Sequence, residues 1–154
     1  MEMKFYVTLI CAVLFLSFGC KQETCAEEAG LISMDQYLAD NNIMPETLGD
    51  TGLRYIINAP GGAARPTIES VLTFAYEGRQ TNDAVFDERP LSNPLEFRLN
   101  MLIQGWQLGI PLIGEGGNIT LYIPSELAYG PRRTGDICPN SDLIFDLDLV
   151  SFIP

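Results

Sequence analysis

The stretch Met101-Leu102-Ile103-Gln104-Gly105-Trp106-Gln107-Leu108-Gly109-Ile110 constrains the fold more than any other part of the chain, because it holds the only Trp and cannot be ordered alone. Isolated helices below about 12–15 residues are marginal in water, so its order has to come from what packs on it. Leu102, Ile103, Trp106 and Ile110 recur at spacings of one, three and four residues, which places them along one side of a short amphipathic helix. On both sides lie segments of period-2 alternation bounded by Gly and Pro, the pattern of strands. The expectation is an α+β domain, an antiparallel sheet closed around one short helix.

With 154 residues, 47% of them hydrophobic, the chain can bury one domain core but not two. A formal net charge of -11 and a pI near 4.2 repel phosphate backbones and anionic surfaces, so nucleic acid is not an expected partner. The sequence contains no His, which removes Ser-His, Cys-His and His-metal chemistry. Cys11, Cys20, Cys25 and Cys138 form no CxxC pair and have no zinc-like spacing, so neither a metal site nor a cofactor is expected.

Residues 1–19 read as a secretory signal, with Lys4 followed by an apolar run from Phe5 to Phe18 that is shorter than the roughly 18–20 residues of a membrane span. The end of this run, Leu16-Ser17-Phe18-Gly19-Cys20, resembles a bacterial lipobox, in which Cys20 carries lipid and becomes the first mature residue. Residues 20–50 then read as a polar tether and a short helix. Lys21 to Gly30 shows no periodicity, and Ser33 with Gln36 forms a capping-box signature before Met34, Tyr37 and Leu38. That helix is too short to dimerise as a coiled coil, so a monomer is expected. After lipidation Cys25 and Cys138 remain, in a compartment that permits pairing. Nothing in the sequence sets their distance and Cys25 sits on the tether, so free thiols are the expectation.

From residue 51 to 154 the chain reads as the folded domain. Gly52 to Asn58, Ser70 to Gly78, Val85 to Glu88 and Leu95 to Leu99 precede the helix as strands; Asn118 to Ile123 and Leu143 to Val150 follow it. Leu72, Phe74 and Tyr76 share one face of the second of these, a central strand. Asp146 and Asp148 share a face of the last strand and are expected in solvent.

Within this region Tyr76-Glu77-Gly78, Phe86-Asp87, Ile103-Gln104-Gly105-Trp106, Leu121-Tyr122-Ile123-Pro124, Leu127-Ala128-Tyr129-Gly130 and Pro139 to Asp146 resemble, in order and rough spacing, the FKBP-type peptidyl-prolyl cis-trans isomerases. The resemblance runs from about Thr51 to Phe152. It implies a half-barrel sheet on the short helix with an apolar pocket between them, floored by Trp106 and walled by Tyr76, Phe86 and Phe145. Leu102 and Ile103 would edge the pocket, with the Ile103 N–H offered to substrate. Asp87 would face it, Tyr129 would donate its hydroxyl to a substrate carbonyl, and Ile137 would close the loop side. Leu95 stands where the family usually has an aromatic wall residue, and Cys138 where Pro is common.

The activity so implied is rotation about X-Pro bonds in exported proteins, by a lipid-anchored protein of the bacterial cell envelope. Proline-containing polypeptides would be its substrates, and macrolide FKBP ligands further occupants of the pocket. The amide barrier of about 18–20 kcal/mol arises from C–N resonance, and no bond breaks on crossing it, so neither a nucleophile nor a cofactor is needed. The alternative is a non-catalytic module that uses the same groove to hold Pro-containing or unfolded chains.

Overall fold

The computed structural model describes residues 24–154; the expected signal segment and Cys20 lie outside the described residues. Strands β1 (Glu46–Thr47), β2 (Arg54–Ala59), β3 (Val71–Gln80), β4 (Val85–Arg89), β5 (Leu95–Arg98), β6 (Gly117–Ile123) and β7 (Leu143–Ile153) form one antiparallel sheet in the order β1-β2-β6-β7-β3-β4. β5 also pairs with β3, alongside β4: Phe74 lies opposite Leu95, and Gly78 opposite Asp87. The long strand β3 is therefore central, lying against β7 on one side and β4 and β5 on the other.

The strand alternation sorts residues onto two faces. Ile119, Leu121 and Ile123 of β6 and Leu143, Phe145, Leu147 and Leu149 of β7 belong to the main core, together with Leu72, Phe74, Trp106 and Ile110. Tyr122 and Ile144, one residue out of phase, form a second cluster on the other face with Met34, Tyr37 and Leu38 of helix α2 (Met34–Asp40). Ser33 caps α2 by accepting the Gln36 N–H at 3.2 Å, whereas the Gln36 side chain donates forward to Asp40 at 2.6 Å instead of closing the capping box.

The central stretch is more broken than its spacing predicts. A 3-10 turn over Leu99–Met101 is followed by helix α3 over Gln104–Gly109 and a second 3-10 turn over Ile110–Leu112 (the one-turn helix Cys25–Glu28 is α1). Leu102 and Ile103 are extended, with ψ of 170° and 152°, so they lie off the helix and not along its stripe. Two contacts hold them there. The Ile103 carbonyl accepts from the Trp106 and Gln107 N–H groups, and the Gln107 side chain donates to the Leu102 carbonyl at 2.7 Å. These hydrogen bonds override the local period. α3 also sits unusually close to β6: a methyl group at Gly105 would stand 2.5 Å from Ile123 Cγ2, and one at Gly109 2.5 Å from Leu121 Cδ2, so only glycine lets the Trp106 backbone approach the sheet.

The segment expected to be a tether is held along its length, with Asn82 donating to the Ala29 carbonyl at 2.7 Å and Thr81 exchanging hydrogen bonds with the Ile32 backbone. Cys25 of α1 is disulfide-bonded to Cys138, with the Cα atoms 5.7 Å apart, which corrects the expectation of free thiols. Asp142 then accepts the Met34 N–H at 3.2 Å with one carboxylate oxygen and the Ser125 N–H at 3.0 Å with the other. Asp146 and Asp148 are not in solvent but half-buried. Asp146 accepts from Arg79 at 2.5 Å and from Thr120 at 2.6 Å, and Asp148 accepts from Asn118 at 2.8 Å. Their partners come from the neighbouring strands: Thr120 and Asn118 lie directly opposite them on β6, and Arg79 reaches Asp146 from β3.

Candidate active site

Between α3 and the concave side of the sheet lies a cavity of about 230 Å³. Its floor is Trp106, 4% exposed, with Phe74, Tyr76 and Phe145 set edge-on around the indole at centroid distances of 5.1 Å each. Leu95 of β5 and the Met101-Leu102-Ile103 segment form the opposite rim, and Asp87 and Tyr129 stand at the mouth. The cavity is smaller than the roughly 300–1,000 Å³ of sites for drug-sized ligands, so it suits one ring-sized group. Among the residues lining it there is no Ser, Thr, Cys or His.

The sequence-predicted residues Tyr76, Asp87, Leu95, Leu102, Ile103, Trp106, Tyr129 and Phe145 are all brought to this one cavity. Phe86 and Ile137 are not among its lining residues. Phe86 stands behind Phe145, edge-on at 5.6 Å, and supports that wall from outside; β3 has Gly78 here because a methyl group would meet both rings within 2.8 Å. Ile137 is 4% exposed in the main core, under the loop and not across the pocket's side. Phe74 and Met101 line the cavity without having been predicted. Phe74 precedes Tyr76 by two residues on the same strand face, and that alternation was the signal that could have found it.

The polar groups divide by whether they are already engaged. The Tyr76 hydroxyl donates to Asp87 Oδ2 at 2.5 Å, which fixes the carboxylate against the aromatic wall. Burial first, and then this hydrogen bond, pushes the Tyr76 hydroxyl well above its ordinary value of 10.0. Burial and then the charge of Asp87 also raise Tyr129. Both hydroxyls consequently stay protonated across and beyond the neutral range. Three donors at the cavity have no partner among the described residues: the Tyr129 hydroxyl, the Ile103 backbone N–H and the buried Trp106 Nε1. Buried donors are nearly always satisfied in folded proteins, so the Trp106 Nε1 stands out as set aside for something that enters the cavity, while the half-buried Tyr129 hydroxyl and Ile103 N–H are open to the same occupant.

Fold and site together define a class of protein: a half-barrel with an aromatic slot of ring size, bordered by unpaired hydrogen-bond donors and lined by no Ser, Thr, Cys or His. Residues 62–150 match the family of FKBP-type peptidyl-prolyl cis-trans isomerases, and the chain belongs to that family. It is 43% identical over 102 residues to the "Probable FKBP-type peptidyl-prolyl cis-trans isomerase FkpA" of Neisseria meningitidis, covering 65% of this chain and 38% of that protein. To the "Outer membrane protein MIP" of Legionella longbeachae it is 33% identical over 120 residues, or 76% of this chain and 52% of that one. The chain thus spans only 38% and 52% of the lengths of these two relatives. The crystal structure of FkpA from Escherichia coli superposes with a TM-score of 0.71 and 33% identity, covering 78% of this chain and 57% of that chain. The antiparallel sheet around one short helix is the FKBP-like fold.

Proposed function

We propose that the protein catalyses cis-trans rotation about X-Pro bonds in proline-containing polypeptides. The observation that carries this reading is the pairing of an apolar aromatic cavity of ring size with the two unpartnered donors Tyr129 Oη–H and Ile103 N–H. A prolyl ring seated on Trp106 would be stripped of water between Tyr76, Phe74 and Phe145. The planar amide has more charge separation than the twisted one, so an apolar, water-excluding site disfavours planarity and lowers the barrier. Hydrogen bonds from Tyr129 and Ile103 to carbonyls flanking the amide hold the chain while the bond turns. Each 1.4 kcal/mol so gained is about tenfold in rate. Asp87, tied to Tyr76, contributes a fixed acceptor and charge at the mouth, and Leu95 and Leu102 complete the apolar rim.

A protease-coupled assay on X-Pro peptides tests this. Tyr129→Phe keeps the wall and removes one neutral hydrogen bond, worth about 1 kcal/mol, so a loss of roughly fivefold in kcat/KM is expected with no change in thermal stability. Unchanged kinetics would take Tyr129 out of the site. A second reading, a binding module without catalysis, predicts peptide binding and no acceleration in the same assay.

The rate is also expected to be flat between about pH 6 and 8. Amide rotation moves no proton, there is no His, and the Tyr76 and Tyr129 hydroxyls are shifted upward, so they remain donors throughout this window. A bell-shaped profile centred near neutrality, in a sample whose circular dichroism stays native, contradicts rotation without proton transfer.

For location we propose a lipid anchor on Cys20 in the bacterial envelope, a reading supported by the Gly19-Cys20 junction and the likeness to an outer membrane protein. Cys20→Ala should move the protein from the membrane fraction to the soluble one on cell fractionation. Retention of the variant on the membrane would refute the anchor.

A further inference from the structure

The cations of this anionic chain are unevenly used. Against 20 Asp and Glu there are 9 Lys and Arg, and those among the described residues are all arginines. Away from the pocket each has a partner. Arg54 pairs with Asp35 at 2.5 Å, Arg79 with Asp146 at 2.5 Å, Arg98 donates to the Glu69 carbonyl at 3.4 Å, and Arg65 donates to the Gly62 carbonyl. Arg89, Arg132 and Arg133 are exposed, and their side chains make no ion pair or hydrogen bond among the described residues.

Arg89 faces the cavity from β4, and Arg132 and Arg133 lie on the loop that follows the lining residue Tyr129; none of the three lines the cavity itself. Arg89 lies opposite Tyr76 in the β3–β4 register and two residues beyond Asp87, hence on the same face of β4. Its charge acts on the Tyr76 hydroxyl, opposing the upward push of burial and of Asp87. Arg132 and Arg133 sit in the loop that leaves Tyr129: the Arg132 N–H donates back to the Tyr129 carbonyl at 3.4 Å, and a Thr134–Ile137 bridge closes the loop behind them. The acidic groups of this rim do not neutralise them by contact. Asp87, Glu88 and Asp136 balance the three arginines charge for charge on these two segments, but none is ion-paired with them among the described residues: Asp87 accepts from the neutral Tyr76 hydroxyl, and Glu88 lies opposite Glu77 on the other face of β4. An arginine with no role in holding the fold, beside a site, is available to a ligand.

We propose that Arg89, Arg132 and Arg133 select client segments that carry Asp or Glu within two or three residues of the proline. An extended chain advances about 3.3 Å per residue, so a carboxylate two or three residues from a proline in the slot stands about 7–10 Å from it, out at the segments that carry these arginines. The chain, at -11 overall with these arginines included, repels an acidic segment, and the unpaired arginines are the place where one is tolerated and held. This inference rests on the reading of the cavity as a prolyl site. Exposed ion pairs change binding by about two- to fivefold each, so a modest and salt-sensitive preference is expected.

Three X-Pro peptides, identical except for Glu, Gln or Lys two residues before and two after the proline, test it by binding and by rate. Binding is read from the fluorescence of Trp106, the only Trp in the chain, so the charge order is measurable even if no isomerisation is seen. That last result would overturn the proposed activity while still deciding the charge preference. At low salt the affinity and kcat/KM should run Glu, then Gln, then Lys, with the first about three- to tenfold above the last, and the spread should collapse in 0.5 M NaCl. In Arg132→Glu/Arg133→Glu the Glu-to-Lys ratio should invert. Equal affinities for the three peptides at low salt, or a ratio that the double variant leaves unmoved, overturns the inference.

Discussion

Trp106→Ala is expected to lower the unfolding free energy by about 3–5 kcal/mol, the usual cost of truncating a core Trp, and to abolish measurable isomerisation. The indole is the common neighbour of Phe74, Tyr76 and Phe145, each edge-on at 5.1 Å, so its loss leaves a void on which three rings cannot close together. The backbone beneath cannot rise to fill it, because α3 already lies against Ile123 and Leu121 through Gly105 and Gly109. Chemical denaturation gives the stability change as a drop in midpoint, and the peptide assay gives the rate. Trp106→Phe separates the two effects: part of the ring volume returns, so stability should recover more than activity. A Trp106→Ala variant with native stability would mean that the ring serves the pocket alone and that the core of this half-barrel closes elsewhere.

Reduction of the Cys25–Cys138 bond is the second large effect. The two residues are 113 apart in sequence, and closing a loop of about 100 residues removes unfolded-state entropy worth up to roughly 4.7 kcal/mol in the chain-entropy model, with 2–4 kcal/mol typical of measured cases. A melting temperature lower by on the order of 10 °C is expected in reductant, given about 2–4 °C per kcal/mol for domains somewhat larger than this one and 4–8 °C for smaller ones. Thiol titration of the unreduced, denatured protein should find Cys25 and Cys138 blocked. The opposite result, two reactive thiols, would return Cys25 to a free tether. An unchanged melting temperature after verified reduction would mean that the hydrogen bonds of Ala29 and Ile32 to Asn82 and Thr81, of Met34 to Asp142, and the small α2 cluster hold the segment without the disulfide.

The strands were legible because each strand face meets a different environment. In β6 and β7 the inward residues Leu121 and Phe145 and the outward Tyr122 and Ile144 differ by one position, and a period of two survives any detail of packing. The short helix was legible in existence but not in extent, since Leu102 and Ile103 leave it to satisfy contacts with Gln107 and the cavity rim. In the site, motif order assigns residues to a neighbourhood but not to a layer. Phe86 and Ile137 carry the same apolar character as Phe145, yet Gly78 lets Phe145 come forward with Phe86 behind it, and Ile137 is drawn into the core. Met101 gave no signal, because an exposed Met beside a helix has no period to break.

The local pattern alone determined the strands, the short central helix and the absence of imidazole chemistry, and the resemblance carried by the motifs pointed to eight of the ten residues that line the cavity at Trp106. Which rings face the cavity, which hydroxyl is spent on Asp87 and which donors remain free, and that Cys25 meets Cys138, were decided only in three dimensions. Alternation and spacing report the nearest few residues, where backbone geometry repeats. The pairing of Arg79 with Asp146 depends on the register of β3 against β7, and those of Met34 with Asp142 and of two cysteines 113 residues apart on how the N-terminal segment crosses the outer face of the sheet, none of which a short-range period encodes.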